Sequence, residues 1–516
     1  MDHASLQDLV LELQQRGWLI RQTGSSASDA TFSSVAFLPA DVQPGALYIE
    51  DLTGLSAIGE SHFDKAWQRG AVAVAGETPG DNNAKSPCLQ IHDPRAVVAL
   101  ASALLYQQPA RNLKLHGITG TVGKTSTTAI FARCLDAADL LAGAWTSCIA
   151  MAGNACERTF LTTPQAPMLQ KFLAACRDTK RGHVALEFSS HAGADKRIGE
   201  LVFQSAILTN ISRDHLEFHG GWEGYINAKA QLFRQLAPEG VAVIPSNEPD
   251  ALKVCQHSNS VTFGVDSKAD AFALPDRIEI RGALAERLSA KPFTLAAGTP
   301  PGGRFQQINA AAAAAAALLA GVEPAHVEMA LQTFPGLPQR QEIIYRGSFT
   351  IFDDYAPNPA ALNGLLDQLR GAPPQKVTLF WRLRGFRGPQ LNKECGEKIA
   401  EIVRTFRPLH VIVSRTTDFE AATASVEEMA AFIEGYGSAS PQPIFIDDHN
   451  EALDQALALV RRGGNLLLLN REHGETDRLE ELIARRDHGW FSKCRSRHFI
   501  AEDPVRRAAQ ALRLKR

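Results

Sequence analysis

The sequence lacks the features that mark several classes of protein. None of its eight cysteines forms a Cys-x-x-Cys pair, which argues against a zinc site or a disulfide scaffold and favours reduced thiols. A formal net charge of −3 over 516 residues gives no electrostatic footprint for nucleic acid or a membrane surface. No apolar run approaches the length of a membrane span, and the N-terminus lacks the basic-then-apolar layout of a signal peptide. Together these absences predict a cytoplasmic protein that binds neither nucleic acid nor membranes.

A glycine-rich loop at residues 117–125, Gly-Ile-Thr-Gly-Thr-Val-Gly-Lys-Thr, is the most informative segment that is present. Residues 113–116 before it alternate as a short strand would, and residues 126–135 after it contain neither Gly nor Pro, which predicts a helix. The glycines let the backbone turn its N–H groups toward an anion, and the helix N-terminus adds its partial positive charge. In such a loop Lys124 reaches the β- and γ-phosphates, and the Thr125 hydroxyl holds Mg²⁺.

The loop departs from the strict Walker spacing at one position, because that pattern has glycine where this chain has Ile118. A glycine-rich turn without a ligand is therefore an alternative. The order of strand, Gly-Lys-Thr and helix favours the phosphate-binding interpretation. The sequence thus predicts a protein that binds a nucleoside triphosphate.

The chain divides into three segments, and its length suits about two to four domains. Residues 1–111 mix helices with short strands, such as those predicted at 46–49 and 71–74, and contain no obvious catalytic cluster. Residues 112–335 repeat an order of apolar strand, polar residue at the carboxyl end of the strand, and helix, and ligand sites of open α/β sheets gather at such strand ends. In residues 336–516, apolar runs spaced by helical stretches predict a second parallel-type sheet, with strands at 349–352, 377–380, 411–414, 444–446 and 466–469.

A run of eight alanines occupies residues 310–317. The run resembles low complexity, but alanine is the best helix former and the run leads into Leu318. We therefore predict one closely packed helix at this position.

Further motifs follow the loop in a fixed order. They are Thr162-Thr163-Pro164, Glu187-Phe-Ser-Ser-His191, Arg197, Thr209-Asn-Ile-Ser-Arg-Asp-His215, Tyr225-Ile-Asn-Ala-Lys229, Asn309, Gly336-Leu-Pro-Gln-Arg340 and Asp354-Tyr-Ala-x-x-Pro359. Together with the loop, this set resembles the Mur ligase family, and in particular its MurE-type branch of UDP-N-acetylmuramoyl-tripeptide synthetases. The resemblance implies an α/β protein of three-domain Mur ligase architecture, with an N-terminal UDP-sugar-type substrate domain at 1–111, a central P-loop ATPase domain at 112–335 and a Rossmann-like C-terminal ligase domain at 336–516.

The resemblance also implies an activity. Members of this family phosphorylate an acceptor carboxylate with ATP, and an amine then attacks the acyl phosphate to form an amide. Such chemistry needs lysine and divalent metal, because the charge of the triphosphate and of the transition state must be neutralised. The implied cofactors are ATP, two Mg²⁺ ions and a CO₂-derived carbamate on a lysine. The implied partners are a small-molecule carboxylate and an amino acid or other amine, bound by a monomer.

The site residues that the resemblance implies fall into three groups. The ATP-binding group comprises Gly120, Thr121, Gly123, Lys124, Thr125, Ser126, Asn309, Arg340 and Asp354, of which the last three would link ATP binding to domain closure. The metal group comprises Thr125 and Glu187 for one Mg²⁺, and His215 and carbamylated Lys229 for a second. The catalytic set comprises Lys124, Glu187, His215 and Lys229. The acceptor group comprises Thr162, Thr163, Ser189 and Arg197.

Two members of the metal group have ordinary alternatives. Taken singly, His215 is more often a hydrogen-bonded polar residue, and Lys229 is more often a solvated helix charge. Burial would favour the loss of the Lys229 proton that carbamylation requires. The occurrence of all four residues in the order of the family makes the metal interpretation stronger.

The substrate motifs of the first two segments depart from the family pattern. Leu38-Pro39-Ala40 stands where MurE-type enzymes carry Asp-Ser-Arg, so that hydrogen-bond donors of a uridine site are lost. Ile58-Gly59 replaces an Asp-Gly pair, and Asp195 replaces a glutamine close to Arg197. These changes favour an anionic acceptor that need not be a UDP-sugar.

The C-terminal segment departs further. Ser414 to Phe419 replaces the Asp-Asn-Pro-Arg of diaminopimelate-adding members, and residues 470–474 replace Gly-Lys-Gly-His-Glu. Pro357 takes the place of a histidine, and Val122 that of a polar loop residue. The cluster Arg382, Arg384 and Arg387 is either a solvated basic loop or a substrate clamp, with neither favoured.

Three hypotheses follow from these observations. The first is an active ATP-dependent ligase of altered substrate, because the implied catalytic set is intact beside eroded recognition motifs. The second is the peptidoglycan enzyme that extends UDP-MurNAc-L-Ala-D-Glu. The third, from another class, is a nucleotide-binding pseudoenzyme or regulatory module. A P-loop kinase would leave the motifs around His215 and Lys229 unexplained.

Overall fold

The computed structural model describes residues 2–27, 30–51, 62–78, 86–257, 259–298, 303–371, 376–385, 387–415, 423–460 and 462–470. The departures noted at residues 58–59, 416–419 and 471–474 lie outside these ranges. The described strands form a two-stranded sheet and sheets of five, eleven and six strands. The predicted α/β class is therefore confirmed. Within the ranges given, no helix is both long and apolar enough to cross a bilayer.

The first sheet lies in the N-terminal segment. Its elements are β1 (Ala4–Ser5), α1 (Leu6–Gln15), β2 (Leu19–Thr23), β3 (Thr31–Phe32), β4 (Ser34–Ala36), β5 (Ala46–Ile49), α2 (Phe63–Gln68), β6 (Ala73–Gly76), β7 (Cys88–Ile91) and α3 (Pro94–Leu105), with 3₁₀ turns at Pro39–Asp41 and Pro109–Asn112. The five-stranded sheet has the order β2-β7-β6-β5-β4, in which only β2 is antiparallel to its neighbour. Strand β1 pairs with β3.

The second sheet, of eleven strands, carries the glycine-rich loop. Its elements are β8 (Lys114–Thr119), α4 (Lys124–Ala137), β9 (Leu141–Trp145), β10 (Ile149–Ala152), β11 (Ala155–Arg158), α5 (Ala166–Arg177), β12 (His183–Glu187), α6 (Ser190–Ala194), β13 (Phe203–Leu208), α7 (Leu216–His219), α8 (Trp222–Arg234), β14 (Leu236–Pro245), α9 (Ala251–Cys255), β15 (Ser260–Gly264), β16 (Ala271–Ala273), β17 (Arg277–Ile280), α10 (Gly282–Arg287), β18 (Phe293–Ala296), α11 (Gly303–Leu319) and α12 (Pro324–Gln332). The order is β11-β10-β9-β12-β8-β13-β14-β15-β16-β17-β18.

The centre of this sheet determines where the site lies. Strand β8 is parallel to both of its neighbours, β12 and β13. The carboxyl ends of these strands, at Thr119, Glu187 and Leu208, therefore lie at one edge of the sheet. The segments that follow them meet at this edge, which is where open α/β sheets bind ligands.

The alanine run lies within helix α11 and is fully packed. All eight alanines are at most 2% exposed, and the helix packs against α4, the helix that follows the glycine-rich loop. Alanine favours the helical backbone, and its small side chain lets two helices approach closely. The predicted closely packed helix is confirmed.

The third sheet lies in the C-terminal segment. Its elements are β19 (Glu342–Arg346), β20 (Thr350–Asp354), α13 (Pro359–Gly371), β21 (Val377–Arg382), α14 (Gly388–Phe406), β22 (His410–Ser414), α15 (Val426–Tyr436), β23 (Ile444–Ile446), α16 (His449–Leu459) and β24 (Asn465–Leu469). The order is β19-β20-β24-β21-β22-β23, and all pairs but β19 with β20 are parallel. The predicted parallel-type sheet is confirmed, with one antiparallel edge strand added.

Two histidines form a buried hydrogen-bonded chain in the central sheet. His116 Nδ1 lies 2.8 Å from Ser205 Oγ, and His116 Nε2 lies 3.0 Å from His183 Nδ1. Burial lowers the pKa of His183 to about 4 and holds the pKa of His116 well below its ordinary value. Both rings are therefore neutral in the folded chain at neutral pH.

We expect these two buried histidines to make the stability of the protein depend on pH. An unfolded histidine takes up a proton below about pH 6.5, whereas folded His183 does so only near pH 4. The contribution of neutral His183 to the free energy of unfolding is therefore fully present above about pH 6.5 and is lost progressively as the pH falls toward 4. The His183→Gln variant should lose fewer degrees of thermal midpoint than the wild type between about pH 7 and about pH 5. His92→Gln, at an exposed position, is the control, and equal losses in wild type and His183→Gln would contradict the assignment.

Candidate active site

The loop between β8 and α4 has a backbone that two glycines make possible. Gly120 has φ +145° and Gly123 has φ +84°. A Cβ atom at Gly120 would lie 1.9 Å from Thr209 Oγ1, and one at Gly123 would lie 2.5 Å from Asn309 Oδ1. Helix α4 begins directly after Gly123. The loop N–H groups and the helix N-terminus together make a cradle of the kind that binds phosphate.

The segment after β13 braces this loop. Thr209 Oγ1 and Asn210 Nδ2 donate to the Val122 carbonyl at 2.6 and 2.8 Å, and the Val122 N–H donates to Asn210 Oδ1 at 3.1 Å. The Thr121 hydroxyl donates to the Ser212 carbonyl at 3.0 Å and lies 2.9 Å from the Tyr225 hydroxyl. Val122 thus takes part through its backbone, so its apolar side chain does not disturb the loop.

Lys124 stands at the first position of α4. Its ammonium group donates to the carbonyls of Gly120 and Thr121 at 3.1 and 3.0 Å. Burial lowers the pKa of this ammonium group, while the carboxylates of Glu187 and Asp214 oppose the shift. The side chain lines the main cavity, where it can reach a phosphate.

Glu187, at the end of β12, accepts hydrogen bonds from two hydroxyl groups. Its Oε1 accepts from Thr125 Oγ1 at 3.1 Å and from Ser147 Oγ at 3.0 Å, and its Oε2 accepts from the Ser147 N–H at 2.7 Å. In the part of the chain that the structure describes, no three His, Cys, Asp or Glu side chains cluster as a metal cage. A carboxylate with a hydroxyl fits Mg²⁺, because this ion takes oxygen ligands and fills its other positions with water and substrate phosphate.

A cavity of about 1010 Å³ lies between the central and C-terminal segments. Its walls carry the cationic side chains Lys124, Arg158, Arg340, Arg382, Arg384 and Arg387 and the carboxylates Glu187, Asp214 and Asp354. The excess of positive charge suits a triphosphate together with anionic substrates. Phe160, which is 86% exposed, stands at this cavity.

Three C-terminal side chains form one cationic and aromatic group in the cavity wall. The guanidinium carbons of Arg340 and Arg384 each lie 5.2 Å from the centre of the Tyr355 ring, and Arg384 Nη1 donates to the Tyr355 hydroxyl. Arg340 Nη2 also donates to Thr125 Oγ1 at 3.3 Å, which joins the two segments. Burial raises the pKa of the neighbouring Asp354 to about 7.

Asp214 connects the two segments through a buried ion pair. Arg387 Nη1 donates to Asp214 Oδ1 at 2.6 Å, and Asn358 Nδ2 donates to Asp214 Oδ2 at 2.9 Å. Burial alone would raise the pKa of Asp214, but the guanidinium beside it holds that pKa below its usual range. Arg387 Nη1 also lies 3.3 Å from His215 Nε2. With Arg382 only 2% exposed, the alternative of a solvated basic loop is wrong for Arg382 and Arg387.

Lys229 is buried in helix α8 beneath the loop. It is 1% exposed, its Nζ donates to the Gly120 carbonyl at 2.7 Å, and it lies 4.5 Å from the centre of the Tyr225 ring. Burial, and then the charge of Lys124, hold the pKa of Lys229 well below its ordinary value. The alternative of a solvated helix charge is therefore wrong.

Comparison with known proteins matches this architecture. The Mur ligase middle domain matches residues 118–317, and the Mur ligase glutamate ligase domain matches residues 339–470. The UDP-N-acetylmuramyl-tripeptide synthetase of Roseiflexus sp. (strain RS-1) is 30% identical over 84% of this chain and 88% of its own. The chain belongs to the Mur ligase family. It is therefore an ATP-dependent carboxylate–amine ligase that uses ATP and Mg²⁺.

This Mur ligase is also similar to a second sequence relative and to a solved structure. The UDP-N-acetylmuramoyl-L-alanyl-D-glutamate–2,6-diaminopimelate ligase of Syntrophomonas wolfei subsp. wolfei is 29% identical over 86% of this chain and 90% of its own. The crystal structure of MurF from Acinetobacter baumannii is 18% identical, covers 94% of this chain and 99% of its own, and superposes with a TM-score of 0.63. The latter likeness supports the three-domain fold.

The acceptor group of this Mur ligase is held by internal contacts. The Thr163 hydroxyl donates to the Glu187 carbonyl at 2.9 Å and accepts from the Ser189 N–H at 2.9 Å. The Ser189 hydroxyl accepts from the Ala192 N–H at 3.1 Å, which begins helix α6. Thr162 Oγ1 lies 3.0 Å from Ser147 Oγ, within hydrogen-bond distance, and Thr162 lines the cavity.

The positive charge of Arg197 in this Mur ligase is neutralised by the carboxylate of Asp195. Its Nε and Nη2 donate to Asp195 Oδ2 at 3.1 and 2.7 Å, and its Nη1 donates to the Thr163 carbonyl at 3.0 Å. The other oxygen of Asp195 accepts from Arg95 Nη1 at 2.6 Å, and Arg95 Nε donates to Asp51 Oδ2 at 2.8 Å. Two aspartates and two arginines thus form an alternating chain that joins the N-terminal and central segments.

The remaining predicted ATP-binding residues do not all lie in the same cavity. Thr125, Ser126, Arg340 and Asp354 line the main cavity with Lys124. Asn309 lies apart from it, in the wall of a smaller cavity of about 220 Å³ behind the loop. Thr125 contacts Glu187, the pair predicted for one Mg²⁺. Of the pair predicted for the second ion, His215 lies against Arg387 and Lys229 against the Gly120 carbonyl.

Sequence reasoning missed three side chains of this site. Ser147 binds both oxygens of Glu187, and its only signal is a polar residue just after strand β9. Asp214 lies inside a motif recognised for its neighbour His215. Tyr355 lies inside Asp-Tyr-Ala-x-x-Pro, and nothing local indicates the arginines on either side of its ring.

Proposed function

We propose that this Mur ligase joins an acceptor carboxylate other than a UDP-sugar peptide to an amino acid or other amine, through an acyl phosphate. The observation that supports a changed acceptor is the pairing of Arg197 with Asp195. The charge of Arg197 is balanced by this carboxylate, and its guanidinium already donates three hydrogen bonds, so it has less charge and fewer donors to offer a diphosphate. The replacement at residues 38–40 agrees, because none of these three residues carries a charged side chain for a uridine nucleotide.

In the proposed reaction, the loop residues orient the triphosphate. Lys124 and the backbone N–H groups of Gly120 to Ser126 would hold the β- and γ-phosphates, and Arg340 would approach them from the C-terminal segment. Thr125 and Glu187 would hold one Mg²⁺, which when bound neutralises phosphate charge and orients the γ-phosphate. Asp354 would contact the adenosine part from the main cavity, and Asn309 would do so from the smaller cavity behind the loop.

We propose further that Lys229 carries a carbamate. The support is a lysine that is 1% exposed and whose ammonium form is disfavoured by burial, because only the neutral amine reacts with CO₂. A second Mg²⁺ between His215 and this carbamate stays a prediction. Arg387 Nη1 lies 3.3 Å from His215 Nε2 and would have to turn away to admit the ion.

We also propose domain limits, an oligomeric state and a compartment. Domains at 1–111, 112–335 and 336–516 are supported by three sheets whose strands fall inside those limits. A monomer is supported because one chain supplies both walls of the cavity. A cytoplasmic site of action is supported by the use of ATP and by the free thiols of the seven described cysteines.

The second candidate acceptor is UDP-MurNAc-L-Ala-D-Glu. It is favoured by the names of the relatives and by Thr162, Thr163 and Ser189, which match contacts to the sugar peptide. Release of ADP from Mg·ATP with pooled amino acids separates the candidates, when measured with this UDP-sugar, with L-alanyl-D-glutamate and with other small carboxylates. Release that requires the UDP-sugar would overturn the proposal. Release only with other carboxylates would support it, and no release with any of them would favour a pseudoenzyme.

We expect Asp195 to control binding of the UDP-sugar. Asp195→Asn keeps the shape of the side chain but removes its charge, which frees Arg197 to bind a diphosphate. Affinity for UDP-MurNAc-L-Ala-D-Glu, measured by calorimetry, should rise about tenfold, which corresponds to one charge-assisted hydrogen bond. Asp178→Asn, which removes the charge of a surface aspartate paired with Arg177, should change nothing. Equal affinity in wild type and Asp195→Asn would argue against this role.

A further inference from the structure

Tyr355 occupies the point of the cavity where the two segments meet. Guanidinium groups of Arg340 and Arg384 lie 5.2 Å from its ring centre, and Arg384 donates a hydrogen bond to its oxygen. Arg340 in turn reaches Thr125 Oγ1 at 3.3 Å. The phenol is therefore one side chain away from the hydroxyl that marks the phosphate end of the loop.

The other proton acceptors of the cavity are already in use. Glu187 accepts three hydrogen bonds from Thr125 and Ser147, and both oxygens of Asp214 are bonded to Arg387 and Asn358. Burial lowers the pKa of His215 to about 3 despite the opposing effect of Asp214, so this ring is too weak a base for an ammonium group. Asp354 and Tyr355 also accept hydrogen bonds, from the Gln341 N–H and from Arg384. Their pKa values, about 7 and about 8, lie close to neutral pH, so these two groups can exchange a proton there.

We propose that the phenolate of Tyr355 is the base that takes a proton from the incoming ammonium group, with Arg384 holding the phenolate in place. This inference rests on the proposed function, because it assigns the amine step of the same reaction. An amine attacks an acyl carbon only after it has lost its ammonium proton. A phenolate flanked by two guanidinium groups can stand in this cavity, because their positive charges offset its repulsion of a triphosphate.

The charges around Tyr355 support its ionisation. Burial alone would raise the pKa of the phenol, but the guanidinium groups of Arg384, Arg387 and Arg340 lower that pKa to about 8. The charged or titratable groups that face it are Arg384 and Arg387 after β21, Arg340 before β19, Lys124 at the start of α4, and Asp354 beside it in the chain. A base is most effective when its pKa is close to the working pH.

The proton and electron balance of the step is complete. An N–H bond of the ammonium group breaks, its electron pair stays on nitrogen, and the proton moves to the Tyr355 oxygen. The free amine forms a C–N bond with the acyl carbon, and the C–O bond to the phosphate breaks with its electron pair on the phosphate oxygen. The second nitrogen proton goes to the departing phosphate. Tyr355 returns its proton to solvent before the next turnover.

The first test is a titration that needs no substrate. The near-ultraviolet phenolate absorption of the full chain should rise by one tyrosine around pH 8, and the Tyr355→Phe variant should lack this step. Burial raises the pKa of four of the other five tyrosines, Tyr48, Tyr106, Tyr225 and Tyr436, so they do not interfere. Tyr436→Phe is the matched control. Identical titrations of wild type and Tyr355→Phe below about pH 9.5 would overturn the proposal, because ordinary tyrosines titrate only near pH 10.

The second test separates the amine step from the activation step. With Mg·ATP and an acceptor from the assay above, Tyr355→Phe should form amide about 10²- to 10⁴-fold more slowly than the wild type in single turnover. With hydroxylamine, which is already neutral at pH 7, both proteins should form hydroxamate at similar rates. The wild-type amide rate should rise with pH up to about 8, the Arg384→Met variant should need a higher pH, and the control Tyr436→Phe should keep the wild-type pH profile.

The outcomes distinguish this proposal from the proposed function. If the wild type forms neither hydroxamate nor amide, the proposed function fails, and the phenolate titration still decides whether Tyr355 ionises. If Tyr355→Phe loses both products equally, the residue has a structural role and the proposal is overturned. Loss of the rise toward pH 8 in Asp354→Asn instead would assign the base to Asp354.

Discussion

We expect the Lys124→Ala variant to lose ATP-dependent turnover by about 10³-fold or more, because one fixed positive charge at the transferring phosphate is removed. Lys124 lines the cavity and its ammonium group lies against the loop carbonyls of Gly120 and Thr121. No side chain of the loop itself can replace it. The measurement is ADP release under the conditions that support wild-type turnover.

The same variant should remain folded. The loop is held by Thr209 and Asn210, which hydrogen-bond the Val122 backbone and do not involve the Lys124 side chain. The thermal midpoint in the absence of nucleotide should therefore be close to that of the wild type, while the rise caused by Mg·ATP should disappear. Lys114→Ala, which removes an exposed lysine from the start of β8, is the control. Normal turnover in Lys124→Ala would refute the assigned role.

We expect the Lys229→Ala variant to lose about 10²- to 10³-fold of the turnover, the range typical for removal of one electrostatic group from an active site. The proposed carbamate would place a negative group near the loop, and the alanine variant cannot form it. Acetate or formate can enter the space that the lysine leaves, so millimolar carboxylate should restore part of the activity. The measurement is ADP release as a function of acetate concentration.

Lys229 is fully buried, so its variants need a check on folding. Lys229→Met keeps an apolar stem of similar length and loses the amine, which limits the cavity that alanine would leave. It should be as inactive as Lys229→Ala but not rescued by acetate, because the space stays filled. Lys171→Ala, an exposed helix lysine, should be fully active with or without acetate. Full activity of Lys229→Ala without any carboxylate would exclude the carbamate.

The elements of the fold could be predicted because their patterns are local. Strand β5 has the predicted bounds, and the helix predicted for residues 126–135 is the central part of α4 (Lys124–Ala137). The five strands predicted for the C-terminal sheet are all present. The sixth, β19, was missed because Glu342 to Arg346 mixes polar and apolar residues, and its place at the sheet edge comes from antiparallel pairing with β20.

The site could be predicted only where one segment forms it. The glycine-rich loop is such a segment, because its turn and its helix start are encoded within nine residues. The Asp214–Arg387 pair joins residues 173 positions apart, and the Tyr355–Arg384 contact depends on how two strand ends align in the third sheet. Neither contact has a periodicity or spacing that a sequence pattern would reveal.

The fate of the three arginines illustrates the same limit. Composition could not separate a solvated loop from a substrate clamp, since both need exposed charge. In the structure, Arg387 forms an ion pair with Asp214, and Arg384 donates a hydrogen bond to Tyr355. Both contacts depend on burial and tertiary packing. The same holds for Arg197, whose pairing with Asp195 changes the expected acceptor although both residues are visible in the sequence.

The central claim is that the chain activates an acceptor carboxylate as an acyl phosphate, and isotope transfer tests it most directly. An acceptor whose carboxylate oxygens are isotopically heavy is incubated with Mg·ATP, an amine and the full chain, and the released phosphate is analysed by mass. The account predicts one heavy oxygen in each phosphate, because the bond from carboxylate oxygen to phosphorus survives when the amine displaces the acyl group. Phosphate that contains oxygen only from ATP and solvent would contradict the account and would identify simple ATP hydrolysis.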